Sequence, residues 1–313
     1  MVQPTRVEAG PRERFRITAN LRGALWMLLS AVTFTAMTSL VKFLAADYPP
    51  TLQAFYRNLA GFLVLLPWIL RNPSRAFATS RPGILIFRAS AGTLGLILQF
   101  YAFQAMPLAE ANALSFTRAL WLVPIAALVL GETIGPHRIG AALIGFAGVL
   151  VMLHMGVHGV AVGLPQLAAL ASALLFALTV AGMKTLTRDH RPSTLLYWSA
   201  ALGLLFTFPL AFVSWRTPTL RDLALLGLMG VLATVNQLTY IKGMQSADAA
   251  AMAPIDYTRL VFAAGVGFFV FNELPGVNTV IGAAIVIAAT LYITFREHAL
   301  AVKAERALEA AGL

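Results

Sequence analysis

Residues 117–132 read TRALWLVPIAALVLGE, and residues 258–273 read TRLVFAAGVGFFVFNE. In each stretch an arginine precedes a glutamate by 14 positions, Arg118 with Glu132 and Arg259 with Glu273, with no charge between. A shift of 141 carries the first stretch onto the second. Working outward, a shift of 142 sets Lys42 on Lys184, Pro50 on Pro192 and Pro67 on Pro209, so that residues 30–153 lie over residues 172–295. A repeat of this length, built from apolar stretches long enough to cross a bilayer, is how many secondary transporters are constructed. The expectation is movement of a solute.

Composition sets the solvent. With 59% hydrophobic residues, 12% charged residues and a mean hydropathy of +0.78, the chain is far from a soluble domain. Apolar segments long enough to span about 30 Å of hydrocarbon run over residues 22–44, 51–70, 83–105, 108–130, 137–155, 163–186, 192–213, 220–243, 248–271 and 277–296. They are apolar on all faces and about twice the length a tilted barrel strand needs, so they are expected as helices. The expected fold is an all-α membrane protein with ten transmembrane helices in two inverted five-helix repeats. Residues 1–21 form a cytoplasmic tail, 22–155 the first repeat, 163–296 the second, and 297–313 a second cytoplasmic tail. The first apolar segment is too long for a signal-peptide core and lacks an evident cleavage site, so it is expected to stay in the membrane.

Charge gives the orientation. With the N-terminus inside, the inner tails and loops hold Arg6, Arg12, Arg14, Arg16, Arg22, Arg71, Arg75, Arg81, Arg138, Arg188, Arg191, Lys242, Arg296, Lys303 and Arg306, against Arg216 and Arg221 outside. Five crossings per repeat is an odd number, so the second copy enters from the opposite face and both termini are cytoplasmic. Glu132 then faces inward and Glu273 outward. The net charge of +10 would suggest nucleic acid in a soluble protein; here topology and the anionic inner leaflet account for it, and no nucleic-acid partner is expected.

There is no cysteine, and the five histidines (His137, His154, His158, His190, His298) lie at segment ends or in loops without metal-ligand spacing. No GxSxG, GxGxxG or GxxxxGK[ST] pattern supports hydrolase, dinucleotide or ATP-driven chemistry. No catalytic residue, metal or cofactor is expected.

Polar residues inside the membrane carry the rest. Lys42, Lys184 and Arg88 lie near segment ends, where long stems carry charge to the interface, and Arg57 lies two turns inside segment two. Arg118 and Arg259 are near the midplane, where an uncompensated arginine costs roughly 2.5 to 3.5 kcal/mol on insertion scales. Asp256, three residues before Arg259, could neutralise it on the same helix face. Arg118 has Ser115 there instead and is the better anchor for an anionic group. Pro254 and Pro124 are expected to bend segments nine and four near these residues. Ser115, Thr117, Trp121, Asp256, Tyr257 and Thr258, with Gln99, Tyr101 and Gln104 on segment three and Asn236, Gln237 and Tyr240 on segment eight, make segments three, four, eight and nine the expected wall of a polar cavity. Each of these alone could equally be helix-to-helix glue. Aromatic surface beside cations suits an amphipathic solute with a carboxylate.

Segments five and ten carry small residues instead, Gly140, Ala141, Ala142, Gly145, Ala147 and Gly148 against Gly282, Ala283, Ala284, Ala288 and Ala289. They are expected to brace each half or to meet a second copy in a homodimer.

These residues reach a family. Two five-helix halves, the Phe55-x-Arg57 pattern leading to Pro67, the endings Val-Leu-Gly131-Glu132 and Val-Phe-Asn272-Glu273, and the run from Pro254 to Arg259 resemble the EamA-type branch of the drug/metabolite transporter superfamily. The resemblance covers about residues 20–296. It implies a multi-pass carrier of the bacterial inner membrane with a central cavity, in a branch that exports amino acids and other metabolites or takes up vitamins and related solutes. Asn272 departs from the glycine of the first copy, and the helix ending is expected to survive because Asn also tolerates the left-handed cap. The reading is an alternating-access carrier of a small organic metabolite. Export of an amino acid or similar amphipathic solute stands ahead of import of a vitamin or nucleoside-like metabolite, and both stand ahead of an intramembrane enzyme or a non-transporting scaffold.

Overall fold

The computed structural model describes residues 11–71, 77–131, 134–153, 163–186, 192–246 and 249–310. Among the described residues there are twelve helices and no strand: α1 (Pro11–Phe43), α2 (Pro50–Arg71), α3 (Pro82–Ala105), α4 (Leu108–Ser115), α5 (Arg118–Leu130), α6 (Pro136–Met152), α7 (Leu164–Leu186), α8 (Pro192–Val213), α9 (Leu220–Ser246), α10 (Ala249–Asp256), α11 (Thr258–Phe271) and α12 (Val277–Ala310). Taking α4–α5 and α10–α11 as continuous spans, 8 helical stretches are long and apolar enough to cross a membrane. The other two expected crossings are also helical. α6 is a shorter apolar helix of 17 residues, and α2 has 22 residues but carries Arg57 and Pro67 inside it.

α1 runs along α9, α3 along α7, α2 along α8 and α9, and α6 along α12. Small residues permit the approach: a methyl on Gly243 of α9 would sit 2.7 Å from the Met27 side chain, and one on Gly95 of α3 would press on Leu175 at 3.3 Å. Gly148 and Gly282 face each other so closely that a side chain on Gly282 would strike the Gly148 carbonyl. Small residues of α6 and α12 therefore meet one another within the chain and join the two repeats, while Ala147, Ala284 and Ala288 are exposed. In lipid, where burial of apolar surface drives little association, such close packing carries most of the adhesion.

The spans containing Arg118 and Arg259 are each interrupted, the second next to Asp256, where Pro254 pointed, and the first just before Arg118 rather than after it, where Pro124 pointed. The bonds Thr117 N to Leu114 O (3.1 Å), Ala119 N to Phe116 O (3.1 Å) and Leu120 N to Thr117 O (2.9 Å) tighten α4 into α5 as a 3₁₀ turn, and Leu260 N to Tyr257 O (3.0 Å) does so between α10 and α11. Pro124 sits seven positions further on, inside α5, and Pro254 sits inside α10. Proline's fixed φ suits a helix, and loss of one bond alone does not end it. Hydroxyls satisfy the carbonyls at the turns: Ser115 donates to Asn112 O, Thr117 to Leu114 O and Thr258 to Ile255 O, each at 2.7 Å. The helices ending the two quoted stretches close alike, Gly131 at φ 65° and Asn272 at φ 55°, so the asparagine does take the left-handed cap.

The two ends of the bundle are tied differently. At the end holding Lys42, an ion pair joins Lys42 of α1 to Glu273 after α11. Lys42 also donates to Met106 O at 2.8 Å, and Glu273 accepts the Leu108 N–H, the first residue of α4, at 3.0 Å. Lys42 is thus held inside the structure rather than snorkelling. Around it, Tyr48 donates to Asp222 at 2.9 Å, Gln104 to Tyr48 O at 3.2 Å, and Thr51 bonds Ser214 at 3.1 Å. Burial first, and the bond to Asp222 second, hold the Tyr48 phenol above its ordinary value, so it stays a donor through neutral pH. Gln104 thus takes part in this fastening through its side-chain amide. At the opposite end Arg138 pairs with Glu297 at 2.9 Å and Tyr292 bonds His137 at 3.4 Å, both between α6 and α12. Glu132 lies outside the described residues, as does the side chain of Lys184.

Candidate functional site

The two 3₁₀ turns meet. Phe116, in the first, stacks on Tyr257, in the second, with ring centroids 4.4 Å apart. Arg259 lies 4.0 Å from the Phe116 ring and 5.1 Å from the ring of Phe34 on α1, so cation–π contact holds its faces. The Tyr257 hydroxyl bonds Thr290 of α12. Tyr240 of α9 lies within electrostatic reach of Asp256, Arg118 and Arg259, and Tyr257 within reach of the same three, which places all five around one locus. One turn before Tyr240, the Asn236 side chain accepts from Ser30 of α1 at 3.3 Å.

The arginines differ in what holds them. Asp256 is 4.0 Å from Arg259, with side-chain exposures of 20% and 12%. That separation is an ion pair without a hydrogen bond, since charge-assisted bonds run to about 2.7–2.9 Å. Arg118 is half-buried and has neither a hydrogen bond nor an ion pair among the described residues. Among the described residues its guanidinium, at the first residue of α5, has donors to offer an anion and no carboxylate beside it, whereas Arg259, which makes no hydrogen bond either, has Asp256 at 4.0 Å.

The other expected site residues have the following surroundings. Ser115 and Thr117 cap their own helix. Trp121 is half-buried against Phe146 at 4.8 Å and packs with Ile125 and Ala177; its buried indole N–H has no hydrogen-bond partner among the described residues. Tyr101 lines a separate apolar groove with Leu98, Leu164 and Ala168, between α3 and α7. Gln237 is exposed on α9, and Gln99 is half-buried. Phe34, Phe116, Ser30 and Thr290 were missed by sequence reasoning. Phe116 was within reach of it, because the shift of 141 sets it on Tyr257.

The helical contacts around the locus are uneven. α4 packs against α11 on the Lys42 side of it, whereas α5 and α10, on the other side, make no extended contact among the described residues. The locus is covered towards Lys42 and less covered towards Arg138.

Comparison with known proteins gives the following. Residues 21–154 and 164–295 each match the model of the EamA-like transporter family. The chain is 32% identical over 279 residues to an S-adenosylmethionine uptake transporter of Rickettsia prowazekii (strain Madrid E), covering 88% of this chain and 94% of that one. It is 31% identical to a riboflavin transporter of Rhizobium johnstonii, covering 88% and 91%, and 26% identical to the pseudopaline exporter CntI of Pseudomonas aeruginosa, covering 87% and 95%. A crystal structure of 19% identity superposes with a TM-score of 0.59 over 91% of this chain and 99% of that one.

Proposed function

The chain belongs to the EamA-like transporter family, a membrane transporter of a small metabolite, and from that premise we propose that it carries an aromatic, carboxylate-bearing solute by alternating access, with Arg118 as the anchor. The observation that carries this reading is Arg118 itself: a guanidinium with no hydrogen bond or ion pair among the described residues, within electrostatic reach of Tyr240 and Tyr257 where two interrupted helices meet. Half-helices meeting at a binding site are how carriers present backbone and charge to a solute inside a membrane.

The reading includes ten crossings in inverted halves, with both termini cytoplasmic. Exchanging the halves carries α1 onto α7 and α3 onto α9, so the pair α1·α9 maps onto α3·α7, which supports the inversion. The same exchange maps the packed pair α4·α11 onto the separated pair α10·α5. That inequality is what a carrier closed outside and opening inside would present, given the basic residues placed inside.

Rickettsial relatives named for S-adenosylmethionine uptake make that solute the first to test, ahead of riboflavin and aromatic amino acids. Uptake is therefore put before export; the exporter CntI keeps export as the second reading. Purified protein in liposomes preloaded with each unlabelled solute should show counterflow of the labelled one, and Arg118→Ala should raise its half-saturation about tenfold or more. Absence of counterflow for every solute, or undiminished exchange by Arg118→Ala, overturns the assignment.

A further inference from the structure

Asp256 accepts no hydrogen bond from any described residue. The Arg259 nitrogen stands 4.0 Å away, too far to donate. Arg259 is instead held through its faces by Phe116 and Phe34, rings that come from the first 3₁₀ turn and from α1. The pair thus neutralises charge at long range while leaving the carboxylate lone pairs open. A partly buried carboxylate without donors costs free energy until water or a cation fills it. Arg118, in reach of the same tyrosine, is the complementary case, a cation without acceptors.

We propose that Asp256 reads a cationic nitrogen of the solute, so that the site selects a zwitterion whose carboxylate meets Arg118 and whose ammonium meets Asp256. This rests on the carrier reading above and adds the residue that decides the solute's charge pattern. The charges sum to one excess positive, Arg118 and Arg259 against Asp256. Without an ammonium to bind, Asp256 would only weaken the attraction for a plain carboxylate. With one, the same residue becomes a determinant of specificity, because a site built around a polar group rejects an analogue lacking it more strongly than an apolar pocket rejects a missing methylene. Arg259 is then a positioning residue, fixed by its rings so that Asp256 is not collapsed onto it.

The test uses the purified full chain and three probes of one skeleton: S-adenosylhomocysteine, its deaminated carboxylic acid and its decarboxylated amine. Binding is measured by thermal shift over a concentration series. Wild type should bind the zwitterion about tenfold or more tighter than the deaminated acid, the size of one charge-assisted hydrogen bond. In Asp256→Asn the two should differ by less than about threefold, while Asp256→Glu, which keeps the charge, should restore the order. A wild type that binds the deaminated acid as tightly as the zwitterion overturns the role of Asp256 while leaving the carboxylate anchor standing. So does an Asp256→Asn protein that keeps the full preference. If only the amine binds, or none of the three, the carboxylate reading fails and this inference falls with it. Should Asp256→Asn not fold, the wild-type order and that of Asp256→Glu decide.

Discussion

Replacing Arg118 by alanine removes a guanidinium that nothing described in the chain holds, so folding should be nearly intact. Transport of carboxylate-bearing solutes should weaken by about 1.5 to 3 kcal/mol, the worth of a hydrogen bond to a charged group, read as the change in half-saturation in liposomes. Phe116→Ala is the structural counterpart: it strips the ring that covers Arg259 and stacks on Tyr257, and should lower thermal stability by about 2 kcal/mol or more in a denaturation series. Combining Asp256→Ala with Arg259→Ala should reveal a coupling below about 1 kcal/mol, because the two groups share no hydrogen bond; a larger coupling would mean that Asp256 belongs to Arg259 rather than to the solute. The sequence reading found the charged members of this locus because an ion at mid-membrane needs a reason to be there. It did not separate them from Tyr101, which lines an apolar groove, or Gln237, which is exposed, since in a helix apolar on every face nothing marks which side meets lipid and which meets protein. The covering ring Phe116 escaped it for the same reason, aromatic side chains being at home in either place.

At the scale of single elements, the fastening of Lys42, Glu273, Met106 and Leu108 ties the ends of α1, α3 and α11 to the start of α4. Glu273→Gln leaves Lys42 partly buried and without its counterion, at a cost of about 3 kcal/mol to the state in which that end is closed. The cost falls on one conformation, so the population should move towards the state open at the Lys42 end rather than towards unfolding. A cysteine at Thr258 should then react faster with an impermeant reagent added from that side, and Lys42→Met combined with Glu273→Gln should recover much of the closed population that Glu273→Gln alone loses. The helices were legible from length and apolarity, down to the asparagine cap on α11. The interruptions were expected in the right spans, and the one near Arg118 was misplaced along its span. Proline announces a missing N–H, whereas the 3₁₀ turns are set where hydroxyls at Ser115, Thr117 and Thr258 can take the carbonyls, a pattern too common in membrane helices to single out beforehand.

For the molecule as a whole, the odd number of crossings in each half predicts that Glu132→Cys and Glu273→Cys, placed singly in this cysteine-free chain, are labelled from opposite sides of the membrane. Labelling of both from one side would rule out inverted halves. The repeat was visible because rare residues recur at a fixed interval, but the inequality between α4·α11 and α5·α10 was not, since two copies of one pattern say nothing of which is open. That inequality bears on Arg259. Its charge is covered by Phe116 only while the two 3₁₀ turns stay stacked, and parting α4 from α11 uncovers it. A solute arriving from the Lys42 side therefore meets a more positive chamber than one arriving from the other. Half-saturation for an anion should be lower from that side, and thermodynamic balance then requires a slower return of the loaded carrier, so unequal affinities give kinetic rectification without accumulation. Measured with membranes of fixed orientation, influx and efflux should saturate at different concentrations while the final solute ratio stays at one in the absence of a coupled ion.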